Sequence, residues 1–335
     1  LICWFCWRGN AIVDASSLKD MTKMMVKFKA LSLMAWVLLG LSSMQAVAAD
    51  TRVFENRFGR VEVPVAPRCV VSLHDLSLTT QLLELGITPC GSTGRKKLFS
   101  DALFRGAQQR FDVSGISYVG SHQAPDLEAI AALKPDLIVG LSYHQDLKER
   151  LSSIAPVVLL PAREADIKTY AKELAELVGK QQRYQEMLKE YQWIVGEFAK
   201  RVKEPGRITV TTLEVYTDGF QLIGRSGMDD VIADFGLGRV AAYKEARQNV
   251  PYSLERIGDF DSDFIIDTYE EMLNSEASTE AFRRSPQWQN LFAVKNHQFL
   301  YFNRSRFADT MQGLIGSAYL LLSHIGERDY NLQEK

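Results

Sequence analysis

The segments LEAIAALKPDLIV, from Leu127 to Val139, and LERIGDFDSDFII, from Leu254 to Ile266, share one pattern. Each opens Leu-Glu-x-Ile, places an apolar residue three positions on, and ends with an aspartate leading into three apolar residues. As structure, this is a short helix feeding a buried strand. A chain that carries it twice is expected to fold as two halves of like construction. Asp126 and Ser253 stand just before the two segments. Both are good helix N-caps, which puts Glu128 and Glu255 in first helical turns. The helix dipole favours a carboxylate there by about 0.3–1 kcal/mol and accounts for either glutamate taken singly. The same acid at the same place in both halves points further, to two lobes presenting matched acidic pegs.

Around the first copy, short apolar runs alternate with amphipathic segments. CVVSL (Cys69 to Leu73), ITPCGS, SYVG (Ser117 to Gly120), DLIVG (Asp136 to Gly140) and PVVLL (Pro156 to Leu160) read as strands, and DLSLTTQLLELG as a helix ended by Gly86. Such alternation implies βαβ units and parallel sheet. From Ile167 to Lys203 the strand signal vanishes, and Gly179 separates a first helix from a longer one over Lys180–Glu204. That helix would extend about 36 Å at 1.5 Å per residue, enough to cross from one domain to another. Pro205-Gly206 stops it, and RITVTTLE, MDDVIADFGL, the second copy of the motif and HQFLYFN resume the alternation. The expected class is α/β: two lobes, each a mainly parallel sheet flanked by helices, joined by a single long linker helix. The boundaries are 50–179 for the first lobe, 180–204 for the linker and 205–335 for the second lobe.

Residues 1–49 read differently. Lys23, Lys27 and Lys29 precede an apolar run from Ala30 to Leu41, and QAVAAD (Gln45 to Asp50) supplies small residues. This is the order of a cleavable secretory signal peptide. The run is too short to span a bilayer comfortably. Translation is expected to start at Met21, Met24 or Met25, which leaves Cys3-x-x-Cys6 in an upstream extension outside the mature protein. No cysteine sits at the cleavage site to take a lipid anchor. The mature chain is expected to begin at Ala49 or Asp50 and to lie free in the periplasm of a Gram-negative bacterium. In that oxidising compartment Cys69 and Cys90 are compatible with a disulfide or with two buried thiols.

From Arg52 to Gly326 the chain resembles the periplasmic substrate-binding proteins of ABC importers for iron–siderophore complexes and vitamin B12. The resemblance rests on RFGRVEVPVAPRCVVSL, LLELGITPCG, APDLEAIAALKPDLIVG, the long central helix and YSLERIGDFDSDFII. It implies two α/β lobes joined by one helix with the ligand in the cleft between them. It also implies that a glutamate on each lobe, here Glu128 and Glu255, docks on arginine pockets of the membrane permease. The implied partners are a ferric siderophore and an inner-membrane ABC permease with its ATPase, for a protein acting as a monomer without a cofactor.

In sheets of this kind, ligands bind outside the carboxyl ends of the strands. The loops expected there carry His74 and Asp75, then Arg95, Lys96 and Lys97, then Tyr143 and His144. In the second half they carry Tyr216 and Arg225, then Arg304 and Arg306. Each basic residue alone reads as solvated surface. Together they set cations and aromatic rings on both sides of one cleft in a chain whose formal charge is −2. The ligand expected is anionic and aromatic, a ferric catecholate siderophore above others, because guanidinium both donates to oxyanions and stacks on rings. Tyr143-His144 stands where some catecholate binders of this family carry an arginine. Haem or a corrinoid on the same fold is the alternative.

Other classes fit less well. The slightly acidic balance argues against a general nucleic-acid binder. The chain has no G-x-G-x-x-G, P-loop, H-E-x-x-H or G-x-S-x-G motif, so an enzyme is not expected. Its 5 histidines (His74, His122, His144, His297 and His324) are scattered without ligand-like spacing, which disfavours a binder of naked metal ions.

Overall fold

A computed structural model of the chain describes residues 50–94, 110–161, 166–216, 218–224, 226–269, 276–303 and 309–334. The leader expected within residues 1–49 lies outside them. The hairpin β1 (Thr51–Asn56) and β2 (Gly59–Pro64) precedes the first sheet. In chain order there follow β3 (Val70–Ser72), α1 (Thr80–Glu84), β4 (Gly91–Ser92), β5 (Ser117–Tyr118), α2 (Leu127–Ala132), β6 (Leu137–Leu141), α3 (Lys148–Ser152), β7 (Val157–Leu160) and α4 (Ile167–Leu177). The sheet order is β5-β4-β3-β6-β7, and every pairing is parallel. β3, β6 and β7 are buried along their whole length, as a parallel sheet covered on both faces requires.

Helix α5 (Gln181–Arg201) leads to the second lobe. It buries Tyr184, Met187, Tyr191, Ile194 and Phe198, a stripe at alternating steps of three and four that faces the core. Beyond it come β8 (Val210–Val215), β9 (Phe220–Leu222), α6 (Gly227–Asp234), α7 (Ala241–Glu245), β10 (Pro251–Tyr252), β11 (Phe264–Tyr269), α8 (Glu276–Arg283), α9 (Pro286–Gln289), α10 (Phe292–Lys295), β12 (Phe299–Asn303) and α11 (Met311–Leu321). This sheet runs β10-β9-β8-β11-β12.

The two copies of the sequence motif occupy matching places. β6 lies between β3 and β7, and β11 lies between β8 and β12. The turns before them differ: Glu128 opens an α-helix, whereas Leu254–Phe260 is a 3₁₀ turn. The second sheet is also less parallel than expected, because β9 returns antiparallel to β8 and β10 antiparallel to β9. The cause is local. Tyr216 N–H donates to the Gly219 carbonyl at 2.7 Å, and so tight a turn joins only antiparallel neighbours.

Cys69 and Cys90 form a disulfide with Cα atoms 5.2 Å apart. It ties the amino ends of the neighbouring strands β3 and β4, at the end of the sheet opposite the ligand-type loops. The core passes without a break from Leu82, Val139 and Leu160 of the first lobe through Tyr191 and Phe198 to Val210, Phe264 and Leu314 of the second. The lobes therefore meet directly as well as through the linker. Among the described residues no helix is long and apolar enough to cross a membrane.

Candidate functional site

Loops that leave the carboxyl ends of strands in both sheets converge where the lobes touch. α1, which follows β3, receives the first turn of α11, which follows β12: Met311 N–H donates to Gln81 Oε1 at 2.9 Å and Gln312 N–H to Glu84 Oε2 at 3.1 Å. α4, which follows β7, meets α6, which follows β9, where Ile167 N–H donates to Asp230 Oδ2 at 3.0 Å. The α1–α11 contact joins elements that follow parallel strands of both sheets, the end at which open α/β sheets bind ligands; α6 instead follows β9, which runs antiparallel to β8.

On the first lobe, four rings gather at the ends of β3, β5 and β6. The His74 ring lies 5.6 Å from His122 and 6.3 Å from Tyr143, edge-on to both, and Tyr143 lies 4.3 Å from His144. Tyr143 is 51% exposed. Backbone geometry places these groups. His74 begins a helical turn, its Nδ1 accepting from Ser77 N–H at 3.1 Å. Gly120, at φ +95°, folds the loop carrying His122 back on itself; a Cβ there would lie 2.7 Å from the Ala124 carbonyl oxygen.

His144, expected in the ligand-binding set, has another task. It is 2% exposed, and both ring nitrogens meet backbone: Nδ1 accepts from Leu141 N–H at 3.0 Å and Nε2 lies 2.9 Å from the His122 carbonyl. An amide N–H can only donate, so the ring proton sits on Nε2 and donates to that carbonyl. Burial holds the His144 pKa below its ordinary value, which keeps the ring neutral. His144 is a strut beneath Tyr143 that ties two strand-end loops together.

On the second lobe, the Tyr216 hydroxyl donates to Glu214 Oε2 at 2.7 Å, and Gln221 Nε2 donates to the same oxygen at 3.0 Å. Glu214 is fully buried, so Tyr216 is fixed by a carboxylate beneath it. Arg95, Lys96, Arg225, Arg304 and Arg306, and Lys97 beside them, lie outside the described residues. Of the expected ligand set, the described residues bring Tyr143 and His144 together and place Tyr216 at the end of β8 in the second lobe. Glu128 and Glu255 are both exposed near their caps. Asp126 Oδ1 accepts from the amides of Glu128 and Ala129 at 3.1 and 3.0 Å, and Ser253 Oγ accepts from Glu255 N–H at 3.4 Å.

Sequence reasoning missed the ion pair between Arg283 and Asp267. Arg283 Nε and Nη2 donate to Asp267 Oδ2 at 2.9 and 2.7 Å, and the guanidinium lies 4.3 Å from the centre of the 42%-exposed Tyr301 ring. Burial outweighs the arginine and raises the Asp267 pKa to about 6. The signal was present in FIIDTY, where one acid interrupts an apolar strand and so demands a partner. Among the described residues no group of three or more His, Cys, Asp and Glu side chains is placed to hold a metal ion.

Residues 98–304 match the family model for periplasmic binding proteins. The chain is 29% identical over 256 residues to the Fe(3+)-citrate-binding protein YfmC of Bacillus subtilis, covering 74% of this chain and 77% of that protein. It is 27% identical over 272 residues to the Fe(3+) dicitrate-binding periplasmic protein FecB of Escherichia coli, covering 78% and 85%. Among solved structures, Staphylococcus aureus SirA complexed with staphyloferrin B superposes with a TM-score of 0.67 at 22% identity, covering 82% of this chain and 98% of that one. The iron-uptake system-binding protein FeuA of Bacillus subtilis gives 0.70 at 16% identity, covering 83% and 100%. At such identities the two solved structures speak to the fold alone.

Proposed function

The chain belongs to the periplasmic binding protein family, and on that premise we propose that it captures an iron(III) chelate between its lobes and delivers it to an ABC permease. Its relatives and its fold are those of substrate-binding proteins rather than enzymes. The observation that carries the proposal is the contact between the elements that follow β3 and β12, one from each sheet, together with the exposed ring of Tyr143 edge-on to His74 at the strand ends of the first lobe. Within iron chelates, a ferric catecholate suits the rings and the basic residues of the loop sequences. Ferric citrate is the second ligand class, favoured by the names of the two curated relatives.

The working parts follow the lobe boundaries at 50–179 and 205–335 on either side of the linker 180–204. Glu128 and Glu255, exposed on turns outside the cleft, meet the permease. The protein works as a monomer outside the cytoplasm, exported by a cleavable leader to a periplasm. The Cys69–Cys90 disulfide supports an oxidising compartment, since such bonds are rare in the cytosol.

The test is equilibrium titration of intrinsic fluorescence with ferric citrate, a ferric catecholate, a ferric hydroxamate, haem and cobalamin. Saturable binding of an iron(III) chelate is expected, and preference for haem or cobalamin would replace the ligand assignment.

A further inference from the structure

The seam between the lobes is built by exchange. Glu84, on α1 of the first lobe, is 4% exposed and reaches the start of α11 in the second: Oε1 accepts from the Thr310 hydroxyl at 2.8 Å and Oε2 from Gln312 N–H at 3.1 Å. Asp230, half-buried on α6 of the second lobe, reaches the start of α4 in the first, where Oδ2 accepts from Ile167 N–H at 3.0 Å. Each lobe thus lends a carboxylate to the positive end of a helix in the other. Both helices are 11 residues long, so the contacts hold whole elements rather than loop tips.

Among the described residues the charges around these acids are unbalanced. Facing Glu84 are Arg110 at 3.7 Å, 41% exposed, Arg183 from α5, and the buried phenol of Tyr170 from α4. Facing Asp230 are Lys168, Asp166 and Asp234, with Tyr170 and Tyr191 behind them. Asp309, whose Oδ1 accepts from Gly227 N–H at 3.0 Å, adds a further acid at the same seam. Among the described residues five acids therefore meet three cations; Glu84 is buried at the centre, Asp166, Asp234, Arg110 and Arg183 lie on the exposed margin, and Gln81 Nε2 is buried without a hydrogen-bond partner. Removing negative charge from such a cluster favours its closed form.

We propose that Glu84 and Asp230 are positioning residues that set the spacing of the lobes, and that proton uptake by either tightens the seam. Burial raises the Glu84 pKa from 4.5 to about 7 and the Asp230 pKa from 3.8 to about 6. A carboxyl whose pKa is raised in the closed form lends stability that is full below its solvated pKa and is lost as pH rises through the raised one. For Glu84 that window runs from 4.5 to about 7, and for Asp230 from 3.8 to about 6. The seam is thus firm in mild acid and loosens toward alkaline pH. That cleft width follows the seam rests on the binding role proposed above; the response of the seam itself does not.

Amide hydrogen exchange on the ligand-free protein reads the seam at Met311, Gln312 and Ile167. After correction for intrinsic exchange, protection at Met311 and Gln312 in the wild type should fall roughly tenfold or more between about pH 5.5 and about pH 8.5. Glu84→Gln keeps an acceptor for Gln312 and carries no charge. It should abolish that pH dependence and protect these amides at least as well as the wild type on the alkaline side. Asp230→Asn should do the same for Ile167 over its own, lower window. A wild-type profile flat with pH overturns the proposal without recourse to any variant. So does a Glu84→Gln protein less protected than the wild type throughout, which would make Glu84 a plain helix cap. Because no ligand is present, the seam can fail this test while chelate capture stands, and the reverse.

Discussion

In the first lobe, β3, β6 and β7 are parallel runs of buried and almost wholly apolar residues, and the disulfide Cys69–Cys90 closes the sheet at one end. In the second, the strands bury polar side chains at Thr211, Thr212, Glu214, Asp267 and Thr268, with Thr209 buried just before β8, and no disulfide is present among the described residues. Thr209 is held by Asp263 Oδ2, which accepts from both its amide and its hydroxyl at 2.7 Å, and Asp267 by Arg283. The same repeated unit is thus stabilised covalently and by apolar burial in one lobe, and by satisfied ionic and hydrogen-bonding groups in the other. An apolar sheet loses stability in proportion to what is removed from it. A buried ion pair is different, since one truncation leaves a charge stranded.

Arg283→Ala should therefore have the largest effect, about 3–5 kcal/mol of lost stability, because Asp267 remains buried without its cation. The loss should be pH-dependent. Asp267 already holds its proton up to about 6, and without the arginine it would hold it higher still. The cost then grows as pH rises and shrinks in acid. Urea unfolding followed by the buried Trp288 of the second lobe measures it; a loss below 1 kcal/mol would place the pair among ordinary surface ion pairs.

Reduction of Cys69–Cys90, or replacement of both by Ala, should cost about 3 kcal/mol, the value for a closed loop of this size. The loss should fall on the first lobe. Hydrogen exchange in β3 and β6, compared with β8 and β11, locates it. Equal loss in both lobes would mean that the continuous core makes them one cooperative unit.

The two caps sharpen the comparison at smaller scale. Asp126→Ala removes an acceptor used by two amides and should cost about 1 kcal/mol. Ser253→Ala removes one long contact on a 3₁₀ turn and should cost less than Asp126→Ala in the same unfolding assay. The smallest effect is expected of Glu128→Ala combined with Glu255→Ala. Stability should stay within about 0.5 kcal/mol of wild type and chelate affinity should be unchanged, while uptake in whole cells is lost. Normal uptake would return both glutamates to a helix-dipole role.

Much of this was written in local pattern. The buried run that became β6 and the stripe that became α5 each settled within a few residues of expectation, because period and flanking Gly and Pro are local signals. The expected strands around Gly91 and Ser117 shrank to two residues each, because the chain turns away at Gly94 and Gly120, both at positive φ. The seam was not legible at all. Glu84 in LLELG reads as the polar side of an amphipathic helix, yet the groups that hydrogen-bond its carboxylate lie beyond residue 309. His144 looked like a ligand because it follows a strand. Only the three-dimensional path of the 120–126 loop brings a carbonyl to its Nε2 and turns it into a strut.

The direct test of chelate capture at the strand ends is a fluorescence titration of the wild type and Tyr143→Ala with ferric citrate and a ferric catecholate. The wild type should bind one of them saturably at one site per chain. Loss of the exposed ring should weaken that binding roughly tenfold, about 1.4 kcal/mol. Absence of saturable binding to any iron(III) chelate, or an affinity indifferent to Tyr143→Ala, would contradict the placement of the ligand between the lobes.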